Sequence, residues 1–251
     1  MTLGIGKYKL HVGKVMPTNN FGDLKIIRMG ETMSDIEIMF LATGNTKVVK
    51  QSSLVRGQVK DKLFGVGFNS YGKYSAKSKH CYDTWKSMIL RAYSPQYLNE
   101  HHTYRDVFVA EEWHDYQTFA EWYYKQPFKG EGYNIDKDLL LKGNKVYSTI
   151  SCCFIPQEIN KAIVIRSGFR GYGYHKRDNV YETSHRGNYL GSSRDYSLKD
   201  LQVLYLASLH KHIDKLAYTF KSKITQEVYN ELLNYKLYID KEGCVSRCLW
   251  K

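Results

Sequence analysis

The sequence predicts an α+β protein in three stretches: a small N-terminal β-rich domain, a middle region with helices, and a C-terminal three-stranded sheet backed by a helix. Three observations predict it. Residues 1–76 hold short alternating apolar and polar runs cut by Gly and Asn. Helical periodicity begins near residue 80. From about residue 168, a Gly-, Arg- and Tyr-rich stretch leads into one long amphipathic pattern.

Taken in order, "YKLHVG", "LKIIRMG", "IEIMFLATG" and "TKVVKQSSLVRGQVKD" read as short strands of a barrel or meander. "FGVGFNSYGKYSAKSKH" reads as the linker out of it, and its Gly65–Gly67 pair lacks the Lys-Ser/Thr helix start of a phosphate loop. In "YDTWKSMILRAY", Trp85, Met88, Ile89 and Ala92 fall on one face, with Asp83 or Thr84 as cap. "TYRDVFVA" reads as a strand. "EEWHDYQTFAEWYYK" reads as a second amphipathic helix with its acids in the first turn. Three strands are expected at Gly171–His175, Val180–His185 and Tyr189–Gly191, with turns at Asp178-Asn179 and Arg186-Gly187. Ser197, with Asp200 three residues on, opens the long helix "LKDLQVLYLASLHKHIDKLAYTFKSK" in the manner of a capping box. Thr225 opens a last short one.

Composition narrows the function classes. The chain of 251 residues has a net charge of +12, which points to a polyanionic partner, nucleic acid above all. No apolar run approaches the roughly 18 residues of a membrane span. "MTLGIGKYKLHVGKVMP" lacks a signal core and cleavage site. Five cysteines, two of them adjacent (Cys152, Cys153), argue for reduced thiols in a cytosolic protein. Cys244 and Cys248 have no second Cys or His pair to complete a zinc site. The 22 tyrosines supply flat apolar faces with polar tips.

The C-terminal sheet carries the binding expectation. One helix covers one face, leaving the other free to enter a DNA major groove. Arg170, His175, Lys176, Arg177, Tyr181, Thr183, His185, Arg186 and Arg194 cluster on its strands and turns and are the candidate DNA-binding residues. A second candidate is "NIDKDLLLKGNKVYSTISCCFIPQEIN", residues 134–160, where charges alternate, a Gly-Asn turn follows and an amide-tipped segment closes the stretch. The acid pair there alternates with Ile135 and Leu139, which equally suits a strand with one wet face.

The blocks "WKSMILRAY", "YRDVFVAEEW" and "DKDLL…GNKVYS…CCFIP…IN" occur in an order that resembles phage HNH-like homing endonucleases, over about residues 80–165. Residues 168 to about 217, through "GYGYHKRDNVYE" and "YLGSSRDYSLKDLQVLYLASLHKHI", are similar to the AP2-like, integrase-type DNA-binding module. The resemblance implies three domains: 1–76 of unassigned role, an HNH-like ββα core at 77–165, and an AP2-like module with terminal helices at 166–251. It implies a hairpin bearing a general base, with a divalent ion such as Mg²⁺ at the scissile phosphate. On the matching positions Asp136, Lys137 and Asp138 take the polar places of the first strand, Asn144 the turn, and Asn160 the metal or phosphate contact.

The departures from the pattern bear on activity. No histidine lies between His114 and His175, so the usual base is missing; Lys137 occupies its neighbourhood and is charged at neutral pH unless burial lowers its pKa. Thr149 stands where a proline normally follows "YS", and Ala92 and Ala110 stand where the family carries Cys. Two readings follow. One is a sequence-specific double-stranded DNA-binding protein, a phage or phage-satellite repressor needing no cofactor. The other is an active Mg²⁺-dependent endonuclease. Either expects DNA as partner in the cytoplasm of a bacterial host, at the nucleoid, with no membrane role. A homodimer would suit a two-fold site, although no segment reads as a dimer helix.

Overall fold

The computed structural model describes residues 9–70, 72–165 and 168–247. Met1–Tyr8, Tyr71 of the expected linker and Cys248 of the C-terminal cysteine pair therefore lie outside the described residues. The α+β class holds, with several small sheets and seven α-helices among the described residues. None of these helices is long and apolar enough to cross a membrane. The chain divides into two compact units, one running to Gln126 and including Lys145–Thr149, the other formed by Pro127–Asn144 and the residues from Ile150 on.

In the first unit, β1 (Val15–Pro17), β2 (Asp23–Met29), β3 (Ile36–Phe40) and β4 (Thr46–Val49) form an antiparallel meander in chain order. Leu24, Ile26, Ile36, Ile38 and Phe40 alternate into its core, joined by Leu10 and by Leu54 of α1 (Gln51–Val55). Two expectations change here. The first strand starts at Val15, because Gly13 turns the chain before it. The run after Val49 coils into α1, tucking Leu54 inward.

The expected linker is packed rather than free. Phe68 N donates to His114 O, and Tyr116 N donates to Phe68 O. A Cβ at Gly67 would stand 3.0 Å from the Trp85 ring, so that glycine serves close packing rather than phosphate binding. Helix α2 (Lys79–Tyr93) buries Cys81, Trp85, Met88, Ile89 and Ala92. Its apolar face reaches back to Cys81, which moves the N-cap to Ser78 instead of Asp83 or Thr84. Helix α3 (Pro95–Glu100) follows, with proline in its first turn. The strand expected at "TYRDVFVA" shrinks to β5 (Phe108–Val109). Helix α4 (Tyr116–Lys125) begins only after Asp115, whose carboxylate accepts from Gln117 N, so Glu111 and Glu112 sit in a separate 3₁₀ turn.

The chain enters the second unit with β6 (Tyr133–Asp136) and returns to the first with β7 (Val146–Tyr147), parallel to β5. It then resumes with β8 (Cys153–Pro156), antiparallel to β6 and paired Asp136 to Cys153, and runs into α5 (Gln157–Ile163). Next come β9 (Gly173–His175), β10 (Val180–His185) and β11 (Asn188–Ser192), forming a sheet with β10 in the centre. Helix α6 (Leu198–Thr219) lies against β10 and β11. Its expected capping box is present: Asp200 N donates to Ser197 Oγ, and Ser197 N donates to the Asp200 carboxylate. Helix α7 (Gln226–Leu233), capped by Thr225, and the hairpin of β12 (Leu237–Ile239) and β13 (Val245–Arg247) complete the unit. Leu139, Ile155, Ile159 and Ile163 share one core with Leu209, Ile213, Val228 and Leu232. The β6–β8–α5 element and α6 are thus built on the same apolar cluster.

Candidate nucleic-acid interface

Side-chain parity along β10 divides the sheet into two faces. Thr183 is buried and donates Oγ1 to Gly171 O at 2.6 Å. His185 Nδ1 lies 2.9 Å from Ser208 Oγ of α6, its ring against Tyr205. The Thr183 and His185 side therefore faces the helix, and these two expected DNA contacts are packing residues in the structure. Tyr181 shares their parity but keeps 39% of its surface exposed, packing on Tyr172 and Tyr174. Gly191 opposes Thr183, and a Cβ there would stand 2.8 Å from the Tyr196 ring, which explains the glycine.

The opposite parity is open beyond Val180, which is buried. It presents Glu182 and Ser184 of β10, His175 and Gly173 of β9, and Tyr189 of β11, whose partner is Ser184. A cleft of about 270 Å³ runs along it, lined by Gly173, His175, Glu182 and Ser184 among others. Sequence reasoning named His175 here but passed over Glu182. Strand alternation separates Glu182 from Thr183, but which of the two faces the helix takes is set by Ser208 and Tyr205 of α6.

Cations occupy the turns. Lys176 and Arg177 sit in the β9–β10 turn, exposed, with Arg177 Nε 3.2 Å from Asp178 Oδ1 and His175 Nδ1 2.9 Å from Asp178 Oδ2. Arg177 is the main cause holding Asp178 below the usual carboxylate range, assisted by His175 and Arg194. At the β10–β11 turn Arg186 (φ 53°) and Gly187 (φ 78°) both take positive φ, as a two-residue type I′ hairpin requires. Arg186 Nη1 reaches His212 Nε2 of α6 at 3.1 Å, a bond in which neutral His212 accepts. Burial first, then Arg186, keep the His212 pKa below its ordinary value, and the same two causes lower His185. Arg170 and Arg194 are exposed at the two ends of the sheet segment.

The 134–160 stretch gives a different picture. Asp136 ends β6, and its Oδ1 accepts from Asp138 N (3.0 Å) and Leu139 N (2.6 Å). Burial, then the Asp138 carboxylate, push Asp136 above the ordinary carboxylate range. Lys137 Nζ lies 2.9 Å from Asp138 Oδ2. Asn144 Nδ2 donates to Lys137 O at 2.7 Å, so Asp136, Lys137, Asp138 and Asn144 are brought into one loop. Asn160 lies on α5, half-buried, and no hydrogen bond among the described residues joins it to that loop. Arg247, which the sequence did not single out, donates to Asp138 O (2.8 Å) and Leu139 O (2.9 Å) and lies over the Tyr235 ring. Its Nη1 is 3.8 Å from Asp138 Oδ1.

This donor set does not fit a divalent ion. An ammonium already pairs with Asp138 and a guanidinium lies beside it, while Asp136 Oδ1 is already taken by two backbone N–H groups. Among the described residues, the group with metal-ligand spacing lies on the sheet: His175, Asp178 and Glu182, with atoms within 4.8 Å of one another. Compared with protein-family models, curated proteins and solved structures, the chain has no match.

Proposed function

We propose that the chain is a sequence-specific double-stranded DNA-binding protein, derived from a phage HNH-like homing endonuclease and acting as a transcriptional repressor in a phage or phage satellite. The observation that carries this reading is the sheet β9–β10–β11, packed against α6, with Gly173, His175, Glu182 and Ser184 lining a cleft on the other parity and Lys176, Arg177, Arg186, Arg170 and Arg194 at its turns and ends. A three-stranded sheet can enter the major groove, where its side chains meet base edges. The flanking cations contact phosphates and fix the register. The AP2-like order of three strands and a capped helix agrees with this geometry. In the cytoplasm of the bacterial host, occupancy of a promoter site blocks polymerase, and a two-fold site is met by a homodimer.

The runner-up reading, an active Mg²⁺-dependent endonuclease, draws on one observation: β6 and β8, with β7 between them in the chain, pair antiparallel and lead into α5. Against it stand the cation-paired Asp138 and Asp136, whose Oδ1 is already held by two backbone N–H groups. The test is to recover bound fragments from sheared phage and host DNA. The best fragment is then incubated with protein and Mg²⁺ or Mn²⁺ and run on a denaturing gel. An intact fragment, bound equally well in EDTA, is the expected result. Site-specific nicks that vanish in EDTA and in Asn160→Ala would establish the endonuclease instead.

A further inference from the structure

On a face offered to a polyanion, one half-buried side chain has the wrong sign. Glu182 stands at the centre of the central strand, its Cα partners being Gly173 on β9 and Ser192 on β11. In that row of three it is the one long side chain. Asp178, the nearest other acid, is engaged with Arg177 and His175 within its own turn. The Glu182 carboxylate forms no hydrogen bond or ion pair among the described residues, lies within 4.8 Å of the ligand atoms of His175 and Asp178, and lines the cleft with Gly173 and Ser184.

A carboxylate there is repelled by phosphate, so it lowers sequence-independent affinity. It gains only where DNA offers a donor, and in the major groove the cytosine 4-amino group is the donor a carboxylate accepts from. Gly173 contributes no side chain to block a base edge, and a Cβ there would meet open space. We infer that Glu182 is a specificity-determining residue: it reads a cytosine through its 4-amino group at one position of the site, while the surrounding cations supply affinity. The inference rests on the proposed DNA-binding role of this sheet.

The test is selection of binding sites from a randomised duplex pool, carried out in EDTA, with the full chain and with Glu182→Gln and Glu182→Ala. The full chain should select a motif with one fixed cytosine, discriminated by about 5- to 150-fold, the range one good base contact gives. Glu182→Gln should move the preference at that position toward adenine, which a side-chain amide pairs bidentately. Glu182→Ala should lose it, with affinity for random DNA equal or higher. An unchanged motif in both variants overturns the inference and leaves the DNA-binding reading intact. Failure of the full chain to select any motif overturns both. A cytosine preference that appears only when Zn²⁺ is added would assign the effect to an ion held by His175, Asp178 and Glu182, and direct readout would be wrong.

Discussion

Replacing Thr183 with valine tests the assignment of the two sheet faces. Thr183 keeps 1% of its surface and donates to Gly171 O at 2.6 Å. Valine has nearly the same shape, so packing survives while the Gly171 carbonyl loses its donor. Leaving a buried acceptor unsatisfied costs about 1–3 kcal/mol. The methyl that replaces the hydroxyl returns up to about 0.8 kcal/mol of apolar burial. The expected net loss is roughly 1–2 kcal/mol. Three of the four tryptophans, Trp85, Trp113 and Trp122, belong to the first unit, so total fluorescence would report mostly the wrong part of the chain. Amide hydrogen exchange across β10 and α6 measures the loss directly. Affinity of the folded variant for DNA should not change. A variant of full stability with weakened DNA binding would mean that Thr183 faces the DNA. The face assignment, and with it the role given to Glu182, would then be reversed.

Other substitutions probe the turns and the hairpin loop. Arg177→Ala removes an 84%-exposed side chain whose pairing with Asp178 is a surface contact, so stability should hold within about 0.5 kcal/mol. Specific DNA binding, read by fluorescence anisotropy over a salt series, should weaken by about 1–3 kcal/mol if Arg177 meets a base. Uniform weakening on all sequences, with the salt slope reduced by about 0.9, would make it a phosphate contact. Gly187→Val places a β-branched residue at φ 78° and should cost at least about 1–2 kcal/mol, seen as faster exchange at the β10–β11 turn. Arg247→Met should cost about 1–3 kcal/mol in thermal unfolding by freeing the carbonyls of Asp138 and Leu139; no loss would mean that water replaces the guanidinium without cost. Asp136→Asn carries a pH signature. A carboxyl with a raised folded pKa penalises the folded state at neutral pH, and the penalty fades as pH falls through that pKa toward the unfolded value. The asparagine variant should therefore gain stability at pH 7 and lose that advantage in acid. A gain that grows in acid would contradict the assigned direction.

Local signals in the sequence located most elements of the second unit. The 3.6-residue pattern from Leu201 to Ile213 and the Ser197/Asp200 pair define α6 with its cap, and Arg186-Gly187 marks a type I′ turn. What was illegible depended on partners distant in the chain. The sheet's parity is set by Ser208 and Tyr205, contributed by a helix more than a dozen residues downstream, so Thr183 and Glu182 could not be sorted from the strand alone. Arg247 is more than a hundred residues from the carbonyls it holds, and the short β12–β13 hairpin that delivers it shows almost no periodicity. The "linker" misled for a related reason: Gly67 marks close approach to Trp85 and Gly72 close approach to Gln117, and composition does not distinguish tight packing from freedom.

On the proposed reading, the same long-range contacts explain how a hairpin can outlast its chemistry. Leu139, Cys153, Ile155 and Ile159 join the core that supports α6, so losing the β6–β8–α5 element would strip apolar cover from the helix behind the proposed DNA-reading sheet. The polar residues of the loop carry no such burden beyond satisfying one another. Lys137 neutralises Asp138, Arg247 caps its backbone, and the N–H groups of residues 138 and 139 close on Asp136. A divalent ion would have to displace an ammonium and compete with a guanidinium to bind Asp138, while Asp136 Oδ1 already accepts two backbone N–H bonds. On the proposed reading, selection for a stable platform under α6 is enough to keep the apolar half of this element. It leaves the polar half free to become a self-contained, cation-closed loop.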